Sequence, residues 1–197
     1  MLCSEPRELR TERLVLRPYR PDDGKAIARY ASDEDYRRYL SPTHPGPEEF
    51  VAHNVAADWS VERPWVITLE SVIVGSAFLG INSEDDAAEL ACLVAPAFWK
   101  REIGFEASSA AIDHAFVELD LSKVVARSDS RHEASIRLMT KLGMRSAGVA
   151  CSHHARPEGE QVDEVIYELL RDDWSSSTEL NEPLRRGTAP RAGARGS

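Results

Sequence analysis

Apolar positions recur along this chain with two different periods. In the first half they come as short runs, Leu14–Leu16, Trp65–Leu69, Val72–Leu79 and Glu89–Val94, each bounded by turn residues. Runs of that length, rich in β-branched and aromatic residues, predict strands. Pro18 ends the first run, Glu70 and Ser71 suit a turn between the second and third, and Asn82–Asp86 suits one between the third and fourth. Two helices are predicted between the first two strands. Asp22 and Asp23 give a start signal for Lys25–Ala31, and Pro47, Glu48 and Glu49 open Pro47–Trp59 with a proline and acids suited to a first turn. Ser41–Pro47, with three prolines and a glycine, is a loop.

The second half carries helical periodicity. Ala111, Ile112, Ala115, Phe116 and Leu119 give one apolar face to Glu102–Leu119. Lys123–Ala126 is strand-like. Ser130 and Glu133 have the spacing of a capping box for a helix ending at Leu142, and Gly143 is its stop. Val149–Ser152 and Val162–Leu170 form a last strand pair around a turn at Pro157–Gly159. The order β-α-α-β-β-β-α-β-α-β-β predicts one mixed sheet with helices on its faces. Ser175–Ser197 is rich in Ser, Gly, Pro and Arg and is expected to be disordered.

Composition narrows the functional classes. With 197 residues, 42% hydrophobic and 29% charged, the chain suits one domain with a real core and a tail. A net charge of −9 argues against a nucleic-acid binder, because phosphate contacts need a basic surface. Charged residues Glu5, Arg7 and Glu8 precede any apolar run, which does not read as a signal peptide, and no run is long enough to span a membrane. The expectation is a cytoplasmic protein. Cys3, Cys92 and Cys151 are widely spaced, and no His or Cys cluster has ligand spacing, so neither a disulfide framework nor a metal site is expected.

Four segments, in order, resemble the GNAT superfamily of N-acetyltransferases, and within it the ribosomal-protein N-terminal acetyltransferase branch. They are Leu9–Pro18, with its Thr11-Glu12-Arg13-Leu14 and Leu16-Arg17-Pro18; Ala88–Val94; Phe98–Ala107; and Glu133–Met144. Tyr167-Glu168-Leu169 and Trp174 match the end of that domain, so the resemblance covers residues 8–174 and leaves 175–197 as a tail. It implies an α/β (α+β) fold: a single, mostly antiparallel mixed sheet flanked by helices, with a splayed central parallel pair, Glu89–Val94 beside Lys123–Ala126. It also implies transfer of an acetyl group from acetyl-CoA to a primary amine, without a metal. A homodimer is a further expectation, since dimers are common in that branch.

CoA is a polyanion, and a helix start offers unpaired N–H groups with a partial positive charge. The resemblance implies that Leu93, Val94, the loop Lys100, Arg101, Glu102, Ile103, Gly104 and Phe105, and His132 with Ser135 hold the cofactor. It places Ser135 at the position that donates to the departing thiolate; on spacing alone Ser135 is a small polar residue of a first helical turn. Glu89 reads either as a general base or as an outward-facing strand carboxylate. Tyr167 reads as a hydroxyl acid or a core aromatic. Trp59, Trp65 and Trp99 read as packing residues.

Two positions depart from the family pattern. Glu102 stands where the loop normally has its middle glycine, and His132 where the helix start has asparagine. A carboxylate ~4 Å from a phosphate charge costs about 1 kcal/mol in water and about 4 kcal/mol at an effective dielectric of 20, unless Lys100 or Arg101 pairs with it. These departures open a second reading, a non-catalytic GNAT-fold binding or regulatory protein.

Overall fold

A computed structural model describes residues 5–38, 40, 44–155 and 161–178. The expected turn at Pro157–Gly159, the start of the Ser41–Pro47 loop and the tail beyond residue 178 lie outside the described residues. The strands are β1 Leu9–Arg10, β2 Leu14–Arg17, β3 Glu62–Leu69, β4 Val72–Asn82, β5 Ala87–Val94, β6 Lys123–Asp129, β7 Arg145–Ala155 and β8 Gln161–Leu170. They form one eight-stranded sheet in the order β1-β2-β3-β4-β5-β6-β8-β7. Every neighbouring pair is antiparallel except β5 and β6, as the expected mixed sheet requires. The helices are α1 Gly24–Ala31, α2 Glu34–Arg37, α3 Pro47–Val55, α4 Ile103–Asp113, α5 Glu133–Lys141 and α6 Arg171–Thr178.

The sheet is covered on both faces by apolar stripes of the helices. On one face α4 and α5 bury Ala107, Ala111, Ile112 and Met139 against Leu14, Leu16, Trp65, Leu79 and Val124. Burying a side chain the size of Ile112 or Met139 contributes about 1.5–3 kcal/mol, and each alanine less. On the other face α1 and α3 set Ile27 and Val51 against Tyr19 and Val66. The Glu70–Ser71 turn forms as expected, with both residues at positive φ. Gly143 closes α5 at φ +82, while the N–H groups of Gly143 and Met144 donate to the carbonyls of Thr140 and Met139, so a left-handed residue ends the helix.

Several boundaries differ from the sequence expectation. Ser130 and Glu133 do not cap α5: the helix starts from His132 with no side-chain cap, because the Ser130 N–H is spent on the Asp163 carbonyl and Glu133 pairs with Arg137. The helix predicted to reach Leu119 ends at Asp113 and continues as a π-helical turn, His114–Glu118. The helix predicted to reach Trp59 ends at Val55. Ser175–Thr178, expected in the tail, completes α6, which Trp174 anchors by donating its indole N–H to Asp113.

The feature that positions the site lies between β5 and β6. Their register is Ala87↔Lys123, Ala88↔Val124 and Glu89↔Val125, and it stops there. Beyond Glu89, β5 follows β4 to Val94, while β6 follows β8 to Asp129. The two parallel strands therefore part into a fork.

Candidate active site

Backbone alternation decides which groups face the fork. The Ala95 N–H donates to the Val74 carbonyl of β4 at 2.8 Å. In a regular antiparallel ladder alternate residues turn their N–H and C=O to opposite sides, so Leu93 faces β4 whereas Cys92 and Val94 face the fork. The Trp99 indole confirms this for Val94, donating to its carbonyl at 2.7 Å. Trp99 is 44% exposed, so it is a rim residue of the fork rather than the packing residue expected from sequence. Cys92 was not singled out by sequence, since its part is played by the backbone. Its thiol lies against α4, and burial pushes its pKa up to about 11, which makes it inert as a nucleophile.

The loop after β5 brings a helix start to the open end of the fork. Pro96–Phe98 make a tight turn, Lys100 and Glu102 both take positive φ, and α4 begins at Ile103. No side chain caps α4, which leaves the Ile103, Gly104 and Phe105 N–H groups open to an anion. A Cβ on Gly104 would lie 3.5 Å from Leu138 and 3.6 Å from Val94, so the first turn of α4 closes against both α5 and the end of β5.

Contacts from distant segments fix this loop. Arg13 donates from Nη2 to the Arg101 carbonyl at 3.1 Å and from Nε to Glu106 at 2.7 Å. Glu106 also accepts from the Thr11 hydroxyl and the Arg13 N–H. Arg101 lies over the Phe98 ring, 5.3 Å from its centroid. Neither Lys100 nor Arg101 supplies the partner that sequence reasoning sought for Glu102. Lys141 of α5 does, at 2.5 Å, and its ammonium also lies 4.7 Å from the Phe105 ring centroid. No local pattern in the sequence couples positions so far apart.

Ser135 stands in the first turn of α5, which begins just past the end of β6 and so flanks the opened end of the fork. It is half-buried, and no protein group among the described residues takes its hydroxyl. His132 precedes it as the helix-capping residue, and burial holds its imidazole below the ordinary range. Tyr167 packs against the core beneath α5, as its core reading has it.

Glu89 occupies the opposite face. It is the last residue of β5 paired with β6, and its exposed carboxylate lies 3.6 Å from Arg127. It lines an open groove of about 580 Å³ with Glu62, Phe78, Val125 and Arg127. The structure thus brings Ser135, His132 and the loop before α4 to one face of the sheet and Glu89 to the other, with the fork between them.

Among the described residues no group of three or more His, Cys, Asp or Glu could hold a metal, and no helix is long and apolar enough to cross a membrane. The family model for the acetyltransferase (GNAT) domain matches residues 13–145. The uncharacterized N-acetyltransferase YnaD of Bacillus subtilis (strain 168) is 25% identical over 169 residues, which is 84% of this chain and 98% of the relative. The uncharacterized N-acetyltransferase p20 of Bacillus licheniformis is 26% identical over 176 residues, 85% of this chain and 98% of its own length. Among solved structures, a GNAT-family acetyltransferase from Bacillus anthracis superposes with a TM-score of 0.74 at 25% identity, covering 84% of this chain and 99% of its own. Mycobacterium smegmatis RimJ, solved in complex with CoA-disulfide, superposes with a TM-score of 0.77 at 19% identity, covering 93% of this chain and 98% of its own. With the forked sheet, the uncapped helix start at its mouth and a family match over residues 13–145, about two thirds of its length, this chain belongs to the GNAT family of acetyltransferases.

Proposed function

We propose that the chain transfers an acetyl group from acetyl-CoA to a primary amine that enters from the Glu89 face. The fork between β5 and β6 carries this reading, because it offers strand groups with no strand partner beside an uncapped helix start. The residues present suit the co-substrate. The Cys92 and Val94 backbone groups match the amides of a pantetheine arm, and the Ile103, Gly104 and Phe105 N–H groups match a pyrophosphate, with Lys100 and Arg101 adding positive charge. Bound acetyl-CoA supplies the activated acyl group.

The chain's own side chains divide the proton work across the sheet. An amine reacts only after losing its ammonium proton, and Glu89 is the carboxylate that borders the groove at the fork; through water it accepts that proton. On the far face the unspent Ser135 hydroxyl is free to donate a hydrogen bond where negative charge develops on sulfur. The groove is open and polar enough to admit either a protein N-terminus or a small-molecule amine. The sequence resemblance to the ribosomal-protein branch supports peptide N-termini among the acceptors, and a homodimer and a cytoplasmic setting belong to the same reading.

Calorimetric titration with acetyl-CoA, followed by single-turnover acetylation of a panel of amines and peptide N-termini, tests this function. Saturable binding and transfer to at least one class are expected. Absence of acetyl-CoA binding would refute it in favour of a GNAT-fold protein that binds something else.

A further inference from the structure

We propose that Lys141, on α5, is a phosphate ligand of the cofactor loop, held in place by Glu102 until the phosphate arrives. The proposal rests on the acetyl-CoA reading above. Glu102 is the residue immediately before α4, in the left-handed conformation, and its side chain does not cap the helix. Its carboxylate reaches instead to Lys141 at 2.5 Å. The Lys141 ammonium lies 4.7 Å from the centre of the Phe105 ring, and Phe105 belongs to the first turn of α4. The cation is therefore stationed against a side chain of the turn that carries the three open N–H groups.

An anion seated on those N–H groups meets two neighbours of opposite sign. Glu102 repels it, and Lys141 attracts it. Both side chains of the pair are more than half exposed, at 52% and 59%. Exposed pairs of this kind contribute little to stability and exchange readily. Lysine also carries its charge on a flexible four-carbon stem that can turn from one anion to another. A pyrophosphate, with two charges against the single charge of the carboxylate, draws Lys141 off Glu102, and the freed carboxylate has open solvent to turn into. The pair thereby keeps an acidic residue in the loop compatible with an anionic ligand, which the family's glycine achieves by having no side chain.

The test compares acetyl-CoA with acetyl-pantetheine, which lacks the nucleotide and the pyrophosphate, on wild type, Lys141→Met, Lys141→Arg and Glu102→Gly. Calorimetry should show Lys141→Met weakening acetyl-CoA binding about three- to tenfold, the scale of one partly exposed charge contact. Lys141→Arg should restore most of it, and Glu102→Gly should bind acetyl-CoA more tightly than wild type. Acetyl-pantetheine affinity should not change in any of these variants. Equal loss for both ligands would show that Lys141 only supports the fold locally, and unchanged acetyl-CoA affinity in Lys141→Met would show that it is no ligand; either overturns the assignment while leaving the cofactor reading intact. Wild type that binds neither ligand would overturn the cofactor reading and this proposal together.

Discussion

His114 opens the π-helical turn after α4 and stands edge-on to Trp65, with ring centroids 5.6 Å apart. It is 5% exposed, and neither ring nitrogen has a hydrogen-bond partner. Burial lowers its pKa from 6.5 to about 4, and the nearby Arg63 and Arg7 charges push the same way. The imidazole therefore stays neutral in the folded protein at pH values where the unfolded chain has already taken up a proton. The sign follows from that: between pH 6.5 and 4 the unfolded state binds more protons, so stability is complete above the unfolded pKa and falls as the pH falls toward the folded one. Each pH step across that interval removes about 1.4 kcal/mol, so the loss is on the order of 2 kcal/mol at pH 5 and 3 kcal/mol at pH 4. His114→Phe removes the titrating group and keeps an aromatic ring against Trp65. Urea unfolding of both proteins at pH 7 and pH 5 should show wild type losing about 2 kcal/mol more than the variant. His44 and His132 are also held low by burial, but they are present in both proteins and cancel in the difference. Parallel losses in the two proteins would refute the account of His114.

Three further substitutions probe the fork and its loop. Gly75→Ala would place a Cβ 2.2 Å from the Leu93 carbonyl oxygen, so β4 and the end of β5 must separate; thermal melts should show a cost of about 2 kcal/mol or more, with acetyl-CoA binding lost in parallel. Ser135→Ala should slow single-turnover acetylation by about 10²-fold or more while leaving acetyl-CoA affinity unchanged, because the hydroxyl acts on charge that appears only in the transition state. Equal rates would take the hydroxyl out of the mechanism. Glu106→Ala strips the acceptor shared by Thr11 and Arg13 and should cost about 1–3 kcal/mol in denaturant unfolding, with weaker acetyl-CoA binding as Arg13 lets go of the loop.

What the sequence displayed depended on how local the cause was. Strands β4 and β5 and the α4 face were legible because alternation and helical period are local signals. The apolar run starts only at Trp65, but β3 begins at Glu62, and it tolerates Pro64 because β2 reaches only as far as Val66, so Pro64 lies beyond the end of the neighbour it could not bond. β1 and α2 are too short, at two and four residues, to carry a period. The capping box at Ser130 had the right spacing and failed because a long-range bond from Ser130 to β8 took its backbone first. The fork itself has no local signature: it is a pairing that stops, and only the family resemblance foretold it.

The loop before α4 shows how a glycine can be dispensed with. A left-handed residue other than glycine costs about 1–2 kcal/mol, and the loop holds two, Lys100 and Glu102. Such strain persists only where the surroundings over-determine the backbone. Here three elements do so. Arg13, just before β2, clamps the Arg101 carbonyl; the Glu106 N–H of α4 bonds the Glu102 carbonyl at 3.0 Å; and Lys141 of α5 holds the Glu102 side chain. Each restraint comes from a segment that also packs into the main core or lies next to one that does, so the path of the loop is set by the folded domain rather than by the freedom of its own residues. The glycine of the family pattern serves both conformation and close approach to phosphate. In this chain the folded domain supplies the conformation, which leaves close approach and charge as the remaining differences that Glu102 makes.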